Sequence, residues 1–163
     1  MNDENDLKLF KIILNTIPRP ILIKLSYVAR PLMAFYLRGN SYTDPIDNRS
    51  FRKFLPYGYE NQRENVLSPS TLSLERHRLL WLYLKNETDF FTTKKKVLHM
   101  APEQCFIDRF KAQKNLDYLT ADLVSPIADL HFDLHQIPLE NERFDVVFCN
   151  HVMEHVDDPK QCM

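Results

Sequence analysis

Glycine is almost missing from this chain. Only 2 of 163 residues are glycine, against a usual ~7%. Tight turns at positive φ are therefore few, and the 10 prolines do most of the punctuation. Cysteine is sparse as well: Cys105, Cys149 and Cys162 make no disulfide framework and point to a reducing compartment. Neither sign of charge dominates. The formal net charge of −1 gives no global pull toward nucleic acid or acidic partners. No uncharged apolar run is long enough to span a bilayer, and the N-terminus, MNDENDLK, begins acidic, unlike a signal peptide. The expected location is cytoplasmic. What is present is a 44% apolar composition, enough for a real core, in a length that fits one domain with a small appendage.

Three segments follow one another. In residues 1–39, a basic amphipathic arm holds Lys8, Lys11, Arg19, Lys24, Arg30 and Arg38 with no acid between residues 7 and 38. Apolar residues recur between them at helical spacing, and Pro18, Pro20 and Pro31 are expected to break the arm into two or three short helices. Such an arm either packs on the domain or a partner, or lies peripherally on an anionic surface at the inner face of the membrane. Residues 40–71 read as an irregular module with β character. From residue 72 to 163 the pattern turns α/β. SLERHRLLWLYL (73–84) is expected to be a helix with Thr71 or Ser73 as N-cap and a second half apolar all round, hence deeply buried. KVLHM, LDYLTADL, ADLHFDL and RFDVVFCN read as four strands, the last apolar enough to be buried on both faces. CFIDRFKAQ reads as a helix between the first two, and HVMEHVDDP as the opening of another. Alternating elements imply a parallel, right-handed sheet.

The turn after the first strand, Ala101-Pro102-Glu103, narrows the ligand. A phosphate-binding turn needs free backbone N–H groups and glycines for close approach. Pro102 has no N–H and Glu103 adds negative charge, so NAD, FAD and ATP fit poorly. S-adenosylmethionine, which has no phosphate and a cationic reacting end, fits better. Asp122 ends the second strand, 19 residues after Glu103, where an acid can accept both ribose hydroxyls. Asp133 follows the third segment, within reach of an adenine edge, and Asn150 ends the fourth strand beside the switch point of the sheet.

VLHMAPE, YLTADL and DLHQIPLENERFDVVFCNHVMEHVDD resemble motifs I to IV of a class I, S-adenosylmethionine-dependent methyltransferase. The resemblance is to the methyltransferase type 11 group, in a bacterial subset with LHxAPE in motif I, and covers about residues 72–163. It implies a partial Rossmann-like class I methyltransferase sheet (strands 1–4). It also implies methyl transfer to a small-molecule or glycan acceptor. The cofactor-binding candidates are His99, Ala101, Glu103, Asp122, Asp133 and Asn150. In that subset the upstream module is similar to a small zinc ribbon. Here its knuckle positions are Asp44, Asp47, Ser68 and Thr71, a poor donor set for Zn²⁺. No metal is expected, and the module is expected to rest on Phe51, Phe54, Leu55, Tyr57 and Tyr59.

His151 and His155 stand i, i+4 on the expected last helix with Glu154 between them. That spacing can grip a metal, and His155 or Glu154 can serve as a general base; otherwise the segment is simply the helix after the fourth motif. Arg76, His77 and Arg78 either face the site entrance or are solvated. Cys105 is either a thiolate stabilised at a helix N-terminus or a core filler. The resemblance also leads to the expectation of a truncated sheet, with its fourth strand an edge prone to self-association and turnover lost. The alternative function is a non-catalytic module docking a membrane surface or protein partner.

Overall fold

The computed structural model describes residues 18–58 and 61–162; the first part of the basic arm, through residue 17, and Tyr59 lie outside them. The chain divides into two compact units, Met1–Leu72 and Ser73–Met163. Among the described residues, no helix is long and apolar enough to cross a membrane.

The first unit begins with helix α1 (Arg19–Tyr36). Pro20 stands in its first turn, where no N–H is needed. Pro31 lies inside it without ending it, so the expected break at that proline does not occur, while Pro18 stands at the helix start. An interior proline costs about 3 kcal/mol; here the last turn is held by packing, since Ala34 and Leu37 form a buried cluster with Phe51 and Phe54, with Leu55 against it. Two antiparallel hairpins follow: β1 (Arg38–Asp44) with β2 (Arg49–Phe51), and β3 (Leu55–Tyr57) with β4 (Arg63–Leu67). Tyr57 is exposed rather than part of the core. Both glycines of the chain are committed in this unit. A Cβ on Gly39 would lie 2.6 Å from the Arg52 backbone nitrogen, and Gly58 sits at φ +133.

The former knuckle turns meet. Asp44 is fully buried, accepts from the Ile46 N–H at 2.9 Å, and receives the Thr71 hydroxyl at 2.5 Å. Ser68 accepts from the Thr71 N–H at 3.5 Å, and Asp47 from the Arg49 N–H at 3.1 Å. Hydrogen bonds therefore join the two turns. Among the described residues no three His, Cys, Asp or Glu side chains group as metal ligands.

The second unit is mixed α/β around a parallel four-stranded sheet in the order β7-β6-β5-β8, from β5 (Lys95–Met100), β6 (Leu116–Asp122), β7 (Leu130–His131) and β8 (Val146–Phe148). Helix α2 (Glu75–Asn86) precedes the sheet and α3 (Gln104–Lys111) joins β5 to β6. Alternation along β5 sets the two faces. Leu98 and Met100 join Ala121, Leu119, Leu130 and the loop residues Leu134, Leu139 and Phe144 on one face. On the other, His99 meets the rings of Phe106, Phe110, Tyr118 and Phe148. Stacked Phe106 and Phe110, 5.2 Å apart, lie parallel to Trp81 of α2, and Phe90 and Phe91 close the aromatic core. Cys105 is a buried filler in α3.

Four expectations need correction here. Helix α2 starts at Glu75 with Leu74 as its N-cap residue, because the His77 ring rather than Ser73 or Thr71 satisfies the helix start. It buries only His77, Trp81 and Leu84, one stripe at i, i+4, i+7, while Leu79 and Tyr83 are exposed. Strand β8 is not buried on both faces, as Val147 is 56% exposed, and it ends at Phe148, two residues before Asn150. Residues 151–155 are turns and one 3-10 turn, Met153–His155, with His151 at φ +55. A left-handed residue cannot propagate an α-helix.

Candidate functional site

The strand order places the first strand of the unit, β5, between β6 and the last, β8. The chain direction across the sheet reverses at the β5–β8 boundary, and ligands of open parallel sheets bind beyond the carboxyl ends of the strands at such a boundary. The segments leaving β5 and β8 there are Ala101-Pro102-Glu103 and Cys149-Asn150-His151. With Arg76, His77 and Leu80 of α2, Glu103, Cys149, Asn150 and His151 line a cavity of about 370 Å³.

The turn after β5 does without glycine by strain. Ala101 takes φ +47, with its N–H on the Ala121 carbonyl at 2.8 Å; a left-handed alanine costs about 1–2 kcal/mol. Glu103 is the N-cap residue of α3, yet its carboxylate caps nothing. Instead Oε2 receives His99 Nε2 at 2.5 Å and Oε1 receives the Asn150 amide at 3.2 Å. Burial works to raise the Glu103 pKa, but the hydrogen bond from His99, and then the neighbouring His99 and His77 rings, hold it below the ordinary carboxylate value. Glu103 is thus an ionised carboxylate at the cavity wall.

Behind it runs a buried relay. His99 is wholly buried, and its Nδ1 lies 2.7 Å from the Tyr118 hydroxyl. Burial, and then the Glu103 charge, push the Tyr118 phenol well up, so it keeps its proton. An ionised carboxylate only accepts. The consistent arrangement is Tyr118 O–H to His99 Nδ1, and His99 Nε2–H to Glu103. Both ring nitrogens of His99 are thereby engaged, and the ring touches the cavity only through Glu103.

Of the residues singled out from sequence, His99, Glu103 and Asn150 are brought together by direct hydrogen bonds, with Ala101 forming the turn between His99 and Glu103. Asp122 stands one strand away; Met100 pairs with Ala121 in register, so Ala101 and Asp122 leave neighbouring strands at the same level. Its Oδ1 accepts from the Val124 and Ser125 N–H groups at 2.8 and 2.7 Å; among the described residues no hydrogen bond falls on Oδ2. Asp133 caps the 3-10 turn Leu134–Gln136 and pairs with His135, whose backbone N–H and then ring lower its pKa. Glu154 Oε1 lies 3.4 Å from His151 Nδ1 and 3.6 Å from His155 Nε2, on exposed side chains. His151 lines the cavity; Glu154 and His155 do not. Arg78 turns back to the Ser73 carbonyl at 2.7 Å.

Sequence reasoning missed Tyr118. Period-2 alternation in the second strand places it on the His99 face, since Val97 pairs with Tyr118 and His99 with Thr120 in a parallel register. It also left His77 undecided; no local pattern marks an α2 ring that meets a turn 26 residues later.

Residues 86–163 match the family model described as a methyltransferase domain. No curated protein matches the chain, and no solved structure does. The match supports a class I, S-adenosylmethionine-dependent methyltransferase in that segment, and the parallel four-stranded sheet is consistent with a partial Rossmann-like methyltransferase fold.

Proposed function

We propose that the second unit binds S-adenosylmethionine across the carboxyl ends of β5, β6 and β7 and directs methyl transfer to a small-molecule or glycan acceptor in the cleft beside Glu103. The observation that carries this reading is the ionised Glu103 carboxylate in a turn whose Pro102 offers no N–H. It favours a cationic group and disfavours a pyrophosphate. When bound, S-adenosylmethionine supplies an electrophilic methyl group on a sulfonium. Glu103 faces that positive end, and His99 and Tyr118 behind it fix the carboxylate's orientation. Ala101 turns the chain so that the backbone leaves the cofactor face open. Asp122 keeps one carboxylate oxygen for the ribose hydroxyls, and Asp133 borders the adenine side. Asn150 holds Glu103 from the β8 side, so both walls of the switch point converge on one group. Alignment of donor and acceptor and exclusion of water supply most of the rate.

Calorimetric titration with S-adenosylhomocysteine and with NAD tests this. S-adenosylhomocysteine should bind in preference to NAD, and Asp122→Ala should weaken it by about 1.5–3 kcal/mol, the scale of a hydrogen bond to a charged group. Equal or tighter NAD binding would refute the assignment.

A second reading, membrane docking by the first unit, is favoured by one observation. Ile21, Leu25, Val28, Leu32 and Phe35 form an exposed stripe along α1 at alternating steps of four and three, with Val28, Leu32 and Phe35 66%, 69% and 80% exposed. An apolar stripe on a helix without acids fits an anionic lipid surface. Co-sedimentation with phosphatidylserine vesicles, released by salt and lost in a Leu32→Ser/Phe35→Ser variant, supports it; binding unchanged in that variant removes it.

A further inference from the structure

The His77 ring divides its two nitrogens between fold and cavity. Nδ1 accepts from the Leu74 N–H at 3.0 Å, which closes the start of α2. A nitrogen that accepts carries no proton, so in the neutral ring the proton is on Nε2. That Nε2–H is buried, in a residue only 7% exposed, and has no hydrogen-bond partner. The His77 ring borders the cavity beside Glu103, and its Nε2 lies 4.0 Å from Glu103 Oε1. This is too long for a direct hydrogen bond. It is the span across a single atom that bonds to both, with legs of about 2.8 Å meeting at roughly 90°.

The two groups state what that atom must be. It must accept a hydrogen bond from Nε2–H and donate one to a carboxylate. A carboxylate accepts from His77 but is repelled by Glu103. An ammonium donates to Glu103 but cannot accept from Nε2–H. A hydroxyl does both. We infer that His77 Nε2 and Glu103 Oε1 form a binding site for the hydroxyl group of an alcohol or phenol, with the rest of that ligand in the cavity bounded by Arg76, Leu80, Asn150 and His151. Glu103 Oε1 shares its remaining lone pair with the Asn150 amide, so the hydroxyl proton is directed at an oxygen already held in place. If the ligand is the methyl acceptor, which rests on the function proposed above, its class is a hydroxyl compound and Glu103 is the group facing its proton. His77 lies upstream of the segment that matches the family model.

The test uses the full chain without cofactor, so that its outcome is separate from that of the S-adenosylhomocysteine titration. Benzyl alcohol, benzylamine and benzoate serve as probes; the readout is the His77 Nε2 resonance in nitrogen-15 spectra for the parent chain, and calorimetric titration for affinities in the parent and its variants. Benzyl alcohol should shift that resonance saturably, and the two charged probes should not. His77→Asn keeps an acceptor for the Leu74 N–H but loses the Nε2 donor; it should retain the helix start, read by circular dichroism, and bind benzyl alcohol at least about tenfold more weakly, the loss of one hydrogen bond. His77→Gln restores a donor near Nε2 and should recover most of the affinity. Equal binding of all three probes, unchanged affinity in His77→Asn, or no saturable shift with benzyl alcohol would each overturn the assignment; the last would mean the pair holds solvent alone.

Discussion

Acidification should weaken the second unit through His77, by an amount the structure sets. Burial, partly offset by the Glu103 charge and reinforced by Arg76 and Arg78, holds the His77 pKa at about 4 against an ordinary 6.5. The unfolded chain therefore takes up a proton here below pH 6.5, while the folded chain resists until about pH 4. The stability tied to a neutral His77 is fully present above the unfolded value. It is lost as the pH falls from 6.5 to about 4, and below that both states are protonated. Each tenfold in proton affinity is worth about 1.4 kcal/mol, so the whole effect is about 3 kcal/mol, of which about 2.5 kcal/mol falls between about pH 7 and pH 4.5. Trp81 is the only tryptophan and lies in the core of this unit, so urea unfolding followed by its fluorescence reads this unit. His77→Asn keeps the helix start and cannot titrate. Its stability should fall less than that of the parent by about 2.5 kcal/mol over the same interval. Parallel pH profiles for the two proteins would refute the reasoning, because they would show that the ring gains no proton on unfolding.

Tyr118→Phe leaves the buried His99 Nδ1 without its donor and should cost about 1–3 kcal/mol, read by the same fluorescence; an unchanged midpoint would mean that the relay is not formed. Thr71→Val preserves shape but removes the hydroxyl donated to the buried Asp44 carboxylate. A loss of about 1.5–3 kcal/mol should appear as faster amide exchange across both hairpins, and unchanged protection would count against the bond. Ala101→Gly relieves a left-handed alanine worth about 1–2 kcal/mol, against about 0.5–1 kcal/mol of added freedom in the unfolded chain. A small rise in Tm is expected, and a fall would show that the Ala101 methyl packs usefully.

The strands of the second unit were legible because KVLHM, LDYLTADL and RFDVVFCN carry β-branched or alternating apolar residues between polar turns, a signal local to each segment. That His99, Glu103 and Asn150 lie at one edge was legible for a topological reason: residues at or just past the carboxyl ends of adjacent parallel strands share that edge. The start of α2 was not. A capping search looks for serine or threonine followed by glutamate, whereas Leu74 and His77 do the task with a ring nitrogen. The final helix failed because HVMEHV has helical periodicity while His151 adopts φ +55, and backbone handedness at one residue leaves no trace in a hydrophobic pattern. Pro31 failed in the opposite sense: its local penalty is real, but packing of Ala34 and Leu37 outweighs it.

The contact between Thr71 and Asp44 spans 27 residues and closes a loop that holds β2 and the whole β3–β4 hairpin, with β1 entering it at Asp44. Each hairpin has two strands, a size that is marginal by itself in water. With the loop closed, opening either hairpin releases less chain freedom than it would in an untethered segment, so fraying of a single flap should be rarer. A protease attacking the module should then find fewer briefly opened strands to cut.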